Sequence, residues 1–380
     1  MDTKKWYSNF KGETMKISDV DKKMVANKII SNDITYYDPI ADDRFKIEGL
    51  AFFESEKRYH RLSKESKGNV REVVYWLASH PSGGQIRFVT NAKKIYVNVK
   101  NTGDYMMCHM PKTSQQGVDL YFKRKQDKKY QFFTCAKFNV PCNEYESIVF
   151  EADNKEEKQI IINLPLYEGL DKILIGIEND AYIKKAKDKK SKEKIVVYGT
   201  SVTQGGCASR PGMAYYNILS RWLDIEIINL GFSGNGWGDI ELAHIINQIN
   251  DKKMVILEYE GNGADKDRMK YNLKPFIDTI RNNNPEIPIL LITKRMFPNY
   301  IFKQKEIDLR NYYYNFQKEM VLKKKNEGDN NIYFIDGSYL FGKKDYFECC
   351  VDGIHPTDLG FYKMAKTLYP KLKKILKDNK

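Results

Sequence analysis

Four short blocks in the second half of the chain hold side chains that can do chemistry: Gly199-Thr200-Ser201, Gly231-Phe232-Ser233-Gly234-Asn235, Gly261-Asn262 and Asp352-Gly353-Ile354-His355-Pro356. Acyl transfer asks for a nucleophile, a base to take its proton, an acid to orient that base, and donors aimed at the developing oxyanion. Ser201 is the candidate nucleophile, His355 the base and Asp352 the orienting acid. Gly234 offers a backbone N–H to the oxyanion and Asn262 a side-chain amide, beside the N–H of Ser201 itself. Elimination favours His355: of the two histidines after residue 194, His244 falls inside an expected helix and His355 on a loop. A backbone carbonyl orienting His355 is the alternative to Asp352. Taken singly, each block also suits ordinary turn or capping chemistry, because Gly, Ser and Asn mark many turns. Their order, and their shared place after apolar β-branched runs, argue for a site.

Those runs are the elements that must position the site. Residues 195–198, 225–230, 254–258 and 332–335 read as strands, and a further run covers 287–293. Between them, amphipathic helices are expected at 212–223, 238–249, 266–282, 305–326 and 357–376. Strand and helix in alternation mean parallel βαβ units, whose strand carboxyl ends are where open sheets bind ligands. In the last helix Phe361, Met364, Ala365, Leu368, Leu372, Ile375 and Leu376 share one face, and Thr357 can cap it two residues after His355.

The first half has another pattern. Short β-rich stretches at 73–77, 85–90, 95–99, 117–122, 131–138, 147–150, 159–164 and 172–177 alternate with turn residues, as in an all-β sandwich. A short helix is expected around 18–30, and the lysine-rich run at 184–194 reads as a solvated linker. The expected domains are therefore 1–183, an accessory β-sandwich, and 195–380, a catalytic α/β domain.

At 380 residues, 42% of them hydrophobic, the chain can fill two cores. Its net charge of +13 comes mostly from lysines scattered along helices, and no helix-turn-helix, RNP-type motif or zinc-finger spacing accompanies it, which argues against a nucleic-acid partner. The six cysteines show no CxxC pair and read as reduced thiols; no His, Cys, Asp and Glu cluster has metal-ligand spacing, so neither metal nor cofactor is expected. The start of the chain lacks the apolar core of a signal peptide, and no run approaches the ~18 apolar residues of a membrane span. A soluble, cytoplasmic protein is expected unless a leader has been removed.

The ordered set resembles the SGNH hydrolases, the GDSL-type esterase and lipase superfamily, with Ser201, Gly234, Asn262 and His355 matching the four block residues and Asp352 the acid three before the histidine. The resemblance implies a three-layer α/β/α, flavodoxin-like catalytic domain in which the Ser201 and Gly234 amides and the Asn262 side chain form the oxyanion hole. Thr200 stands where the family's first block has Asp, and the third block reads Glu260-Gly261-Asn262-Gly263 in place of Gly-Gly-Asn-Asp. Gly117-Val118-Asp119-Leu120-Tyr121 is similar to the GxDLY motif of a β-rich, jelly-roll-like domain that precedes one SGNH subfamily, and the segment GTSVTQGGCASRPG is similar to that subfamily too.

What this implies is a serine esterase for short acyl, notably acetyl, esters on small-molecule or oligosaccharide substrates. The alternatives are a lysophospholipase or thioesterase and a catalytically silent glycan-binding protein. Arg210 can bind a substrate carboxylate or hydroxyl, or, with Pro211 and Gly212 following, serve a turn. For Lys294 and Arg295, at a strand end, surface charge is the favoured reading; Cys207 lacks the strand-end turn a nucleophile needs.

Overall fold

β-Branched and aromatic runs cut by turn residues fold the first half into antiparallel strands, seen in a computed structural model that describes residues 21, 25–26, 33–189 and 192–379. The strands are β1 (Ile34–Tyr37), β2 (Lys46–Glu48), β3 (Gln85–Thr90), β4 (Lys94–Asn101), β5 (Asp119–Arg124), β6 (Gln131–Cys135), β7 (Glu144–Glu151), β8 (Lys158–Asn163), β9 (Leu170–Glu178) and β10 (Ile183–Lys185). One sheet has the order β1-β9-β4-β7, the other β10-β3-β8-β5-β6 with β2 on β3. Ile95, Val97 and Val99 of β4 and Ile173, Ile175 and Ile177 of β9 bury against Ile86 and Phe88 of β3 and Ile160 and Ile162 of β8, so the core lies between the sheets. The helix expected around 18–30 lies, but for three single positions, outside the described residues.

Residues 73–77 are not a strand. They belong to the helix Glu72–Ala78, and its buried Val74, Leu77 and Ala78, at i, i+3 and i+4, pack into the core of the second half of the chain. A run this short satisfies both periods, and tertiary burial decides between them. The fully buried Arg61 anchors this helix by donating to the carbonyls of Leu77 (2.7 Å), His80 (2.8 Å) and Gly231. The lysine-rich run is not a plain linker either: Lys184 and Lys185, though exposed, lie in β10, and the Lys189 side chain is buried in an ion pair with Glu48 at 3.0 Å.

The second half forms one parallel sheet of β11 (Lys194–Gly199), β12 (Glu226–Gly231), β13 (Lys252–Glu258), β14 (Ile289–Ile292) and β15 (Ile332–Ile335), in the order β12-β11-β13-β14-β15. Along β11 the side chains alternate between two cores: Ile195 and Val197 meet the helices Tyr215–Leu223 and Asp358–Asp378, while Val196 and Tyr198 meet Ile240–Gln248 and Arg268–Asn283. The result is a three-layer α/β/α unit. Strand order reverses beside β11, and Gly199 is level with Gly231 on one side and Glu258 on the other. The chain leaving these three strands therefore meets at the switch point, where doubly wound sheets bind ligands.

Candidate active site

Ser201 opens a single helical turn, Ser201–Gln204, directly after β11. Thr200 stays extended and caps the turn, its side-chain oxygen accepting the Val202 N–H. The turn folds back so tightly that a Cβ at Gly199 would stand 2.0 Å from Thr203 Oγ1. Only glycine fits there, and this sharp exit presents the Ser201 side chain above the sheet edge. From the other half of the chain, Tyr167 donates to the Ser201 carbonyl at 3.1 Å and fixes the turn from outside.

His355 Nε2 lies 2.8 Å from Ser201 Oγ, and His355 Nδ1 lies 2.7 Å from Asp352 Oδ2. The loop carrying both is held at its base by the Val351 N–H on the His355 carbonyl (2.8 Å) and by Thr357, whose hydroxyl accepts the Gly360 N–H at the start of the last helix. Asp352 Oδ1 also accepts the backbone N–H groups of Ile354 and His355, at 2.9 and 2.7 Å. Burial pushes the Asp352 carboxyl up, but the hydrogen bonds from the His355 ring and from these two amides outweigh it and hold it down at about 2.

Gly234 and Asn262 arrive from β12 and β13. Gly234 has φ +66, and a Cβ there would meet nothing within 4 Å, so the space beside its Cα is open. Asn262 Oδ1 accepts the Gly236 N–H at 3.3 Å, which leaves Nδ2 as the group to present. Glu260 explains the altered third block: it is buried, and its carboxylate accepts the Lys294 backbone N–H and Gln317 Nε2, both at 2.7 Å. All four blocks border one cleft of about 460 Å³, lined further by Lys294, Phe297, Asn299, Tyr300, Lys303 and Ile354.

Arg210 points away from this cleft. Its guanidinium donates to Asp119 Oδ2 (2.8 Å) and Tyr121 Oη (2.7 Å) and stacks 3.5 Å over the Phe132 ring, so its partners are protein groups of the other half. Arg295 is not surface charge: it is buried in an ion pair with Glu258, whose other oxygen takes the Thr203 hydroxyl at 2.7 Å. Burial pushes the Cys207 thiol up to about 12, which suits a spectator better than a nucleophile. His109, which the sequence reading passed over, comes from the loop after β4 to within 3.7 Å of Asp352 Oδ2. It also gathers with Cys207 and His355, a grouping that no spacing along the chain announced.

The sequence profile of the GDSL-like lipase/acylhydrolase family matches residues 192–373, and that described as the N-terminus of SGNH-hydro-type esterases matches 34–183. A structure from Bacteroides ovatus ATCC 8483, described as GDSL-like lipase, shares 34% identity at a TM-score of 0.82, over 90% of this chain and 98% of that one. The chain belongs to the GDSL-like lipase/acylhydrolase family. As such it is a carboxylic ester hydrolase. The salicylyl-acyltransferase SsfX3 of a tetracycline biosynthetic pathway shares this hydrolase's fold at 16% identity (TM-score 0.73, 91% of this chain and 98% of that one). So does a family two carbohydrate esterase from Cellvibrio japonicus at 13% (TM-score 0.57, 90% and 98%). No curated protein matches the chain. Among the described residues of this GDSL-like hydrolase, no helix is long and apolar enough to cross a membrane.

Proposed function

We propose that this hydrolase is a serine esterase that needs no cofactor and removes short acyl groups, acetyl above all, from hydroxyls of carbohydrate substrates. The observation that carries the reading is the continuous chain from Ser201 Oγ through both ring nitrogens of His355 to Asp352, at 2.8 and 2.7 Å. Ser201 attacks the ester carbonyl as His355 Nε2 takes its proton, and the ionised Asp352 carboxylate stabilises the imidazolium through Nδ1. The amides of Ser201 and Gly234 and Asn262 Nδ2 receive the oxyanion. His355 then returns the proton to the leaving alcohol, and water, deprotonated by the same ring, cleaves the acyl-enzyme.

The substrate class is supported by the cleft itself. Lys294, Asn299, Lys303 and Glu306 line it beside Phe297 and Tyr300, whose rings are almost wholly buried, and so polar a lining suits a hydroxyl-rich ring better than a long alkyl chain. Hydrolysis of p-nitrophenyl acetate, butyrate and octanoate, with acetylated xylan beside them, tests this. Rates that fall with acyl length, together with acetate release from xylan, are expected. A preference for octanoate or for acyl thioesters would move the reading to a lipase or thioesterase, and glycan binding without hydrolysis to a silent binding protein.

A further inference from the structure

The chain has five histidines and six cysteines, and three of these side chains converge at the edge of the cleft. His109 comes from the loop after β4, Cys207 from the turn after Ser201–Gln204, and His355 from the loop before the last helix, with one ligand atom from each lying within 4.8 Å of the others. Two imidazoles and a thiol form a borderline-soft donor set, which takes Zn²⁺ or Co²⁺ and is a poor cage for Ca²⁺ or Mg²⁺. Tetrahedral zinc holds such atoms about 3.5 Å apart, so closing the site asks for movements of about an ångström, available to His109 on its loop. Solvent reaches the point, since the side chains of His109 and His355 are 29% and 21% exposed. Asp352 Oδ2, 3.7 Å from His109 Nε2, stays outside this three-ligand group.

We propose that His109, Cys207 and His355 form a binding site for a zinc-like divalent cation, and that filling it switches the esterase off. Both ring nitrogens of His355 are already engaged, Nε2 with Ser201 and Nδ1 with Asp352, so whichever one the cation takes, one of those hydrogen bonds is lost. Cys207 binds as thiolate and releases its proton to solvent. The site needs both halves of the chain, because His109 belongs to the antiparallel half and the other two ligands to the parallel one. The inhibitory part of the proposal rests on His355 being the catalytic base; cation binding does not.

The test titrates the full-length protein with Co²⁺ and follows the near-ultraviolet thiolate-to-cobalt charge-transfer band, with Zn²⁺ inhibition of p-nitrophenyl acetate hydrolysis and its reversal by EDTA measured in parallel. One equivalent of Co²⁺ should develop the band in the natural protein and in Cys108→Ser, and Cys207→Ser should not show it. Each variant is compared with its own metal-free rate. Cys207→Ser and His109→Ala should need about 100-fold more Zn²⁺ for the same fractional inhibition. His109→Ala, on a loop, serves if the buried Cys207 variant fails to fold. A missing band, a band lost in Cys108→Ser and kept in Cys207→Ser, or unchanged Zn²⁺ sensitivity in both ligand variants would overturn the proposal. Should the protein hydrolyse no ester, the cobalt band still decides whether the site exists, so the two readings fail separately.

Discussion

Asp119 and Arg210 face each other across the two halves of the chain, Arg210 Nη1 donating to Asp119 Oδ2 at 2.8 Å. The carboxylate is fully buried and also accepts the Gly212 N–H (2.9 Å) and Asn163 Nδ2 (2.7 Å). The Asp of the GxDLY segment and the Arg-Pro-Gly after Ser201 are thus two sides of one contact, and the first half is bolted to the loop that follows Ser201.

Removing one member of such a pair leaves a charge buried without its partner. Asp119→Ala is expected to cost about 3 to 5 kcal/mol in urea unfolding, more than replacing both partners with apolar residues. A loss below about 1 kcal/mol would show that the contact fixes geometry without contributing stability.

The buried pair of Glu258 with Arg295 lies one layer below Ser201 and holds Thr203 through the same carboxylate. Glu258→Ala should destabilise by a similar amount and lower kcat as the Ser201 turn loosens, with KM moving less. Thermal unfolding and steady-state kinetics on the same preparation separate the two effects.

Asp352 carries a pH signature. Its carboxyl sits at about 2 in the folded chain against an ordinary value of 3.8, so it contributes stability that is complete above the unfolded value and lost as pH falls through the folded one. The difference in melting temperature between the natural protein and Asp352→Asn should shrink as pH falls from about 4 to about 2. A gap independent of pH throughout would remove Asp352 from the hydrogen bonds that lower it.

The proposed oxyanion donors, Asn262 and Gly234, should separate by chemistry. Asn262→Ala is expected to lower kcat roughly 10²- to 10³-fold with little change in KM. Gly234→Ala adds a Cβ that meets no neighbour, so it should strain the left-handed backbone by about 1 to 2 kcal/mol and leave the amide as donor. If Gly234→Ala lost as much activity as Asn262→Ala at equal folded fraction, the open space beside Gly234 would have to be occupied by substrate.

Much of this architecture was legible because its signals are local. The expected strands at 85–90 and 332–335 coincide with β3 and β15, and the helix expected at 357–376 is Asp358–Asp378 with the capping Thr357 where the pattern put it. What the sequence hid depends on distant partners. Residues 73–77 are β-rich in composition and become helix because the parallel-sheet core claims Val74 and Leu77. Arg210 reads as a substrate-binding or turn residue and Arg295 as surface charge until Asp119 and Glu258 are seen beside them. His109 sits beside Cys108 with no neighbouring ligand spacing, and only the packing of one half on the other brings it to Asp352.

The central claim is that Ser201 is a nucleophile activated by His355. Reaction with a fluorophosphonate, followed by mass spectrometry of the intact protein and of its peptides, tests it most directly. One label on the peptide carrying Ser201, absent in Ser201→Ala and slow to form in His355→Ala, is the expected result. Ester hydrolysis that survives Ser201→Ala, or a label on another residue, would contradict it.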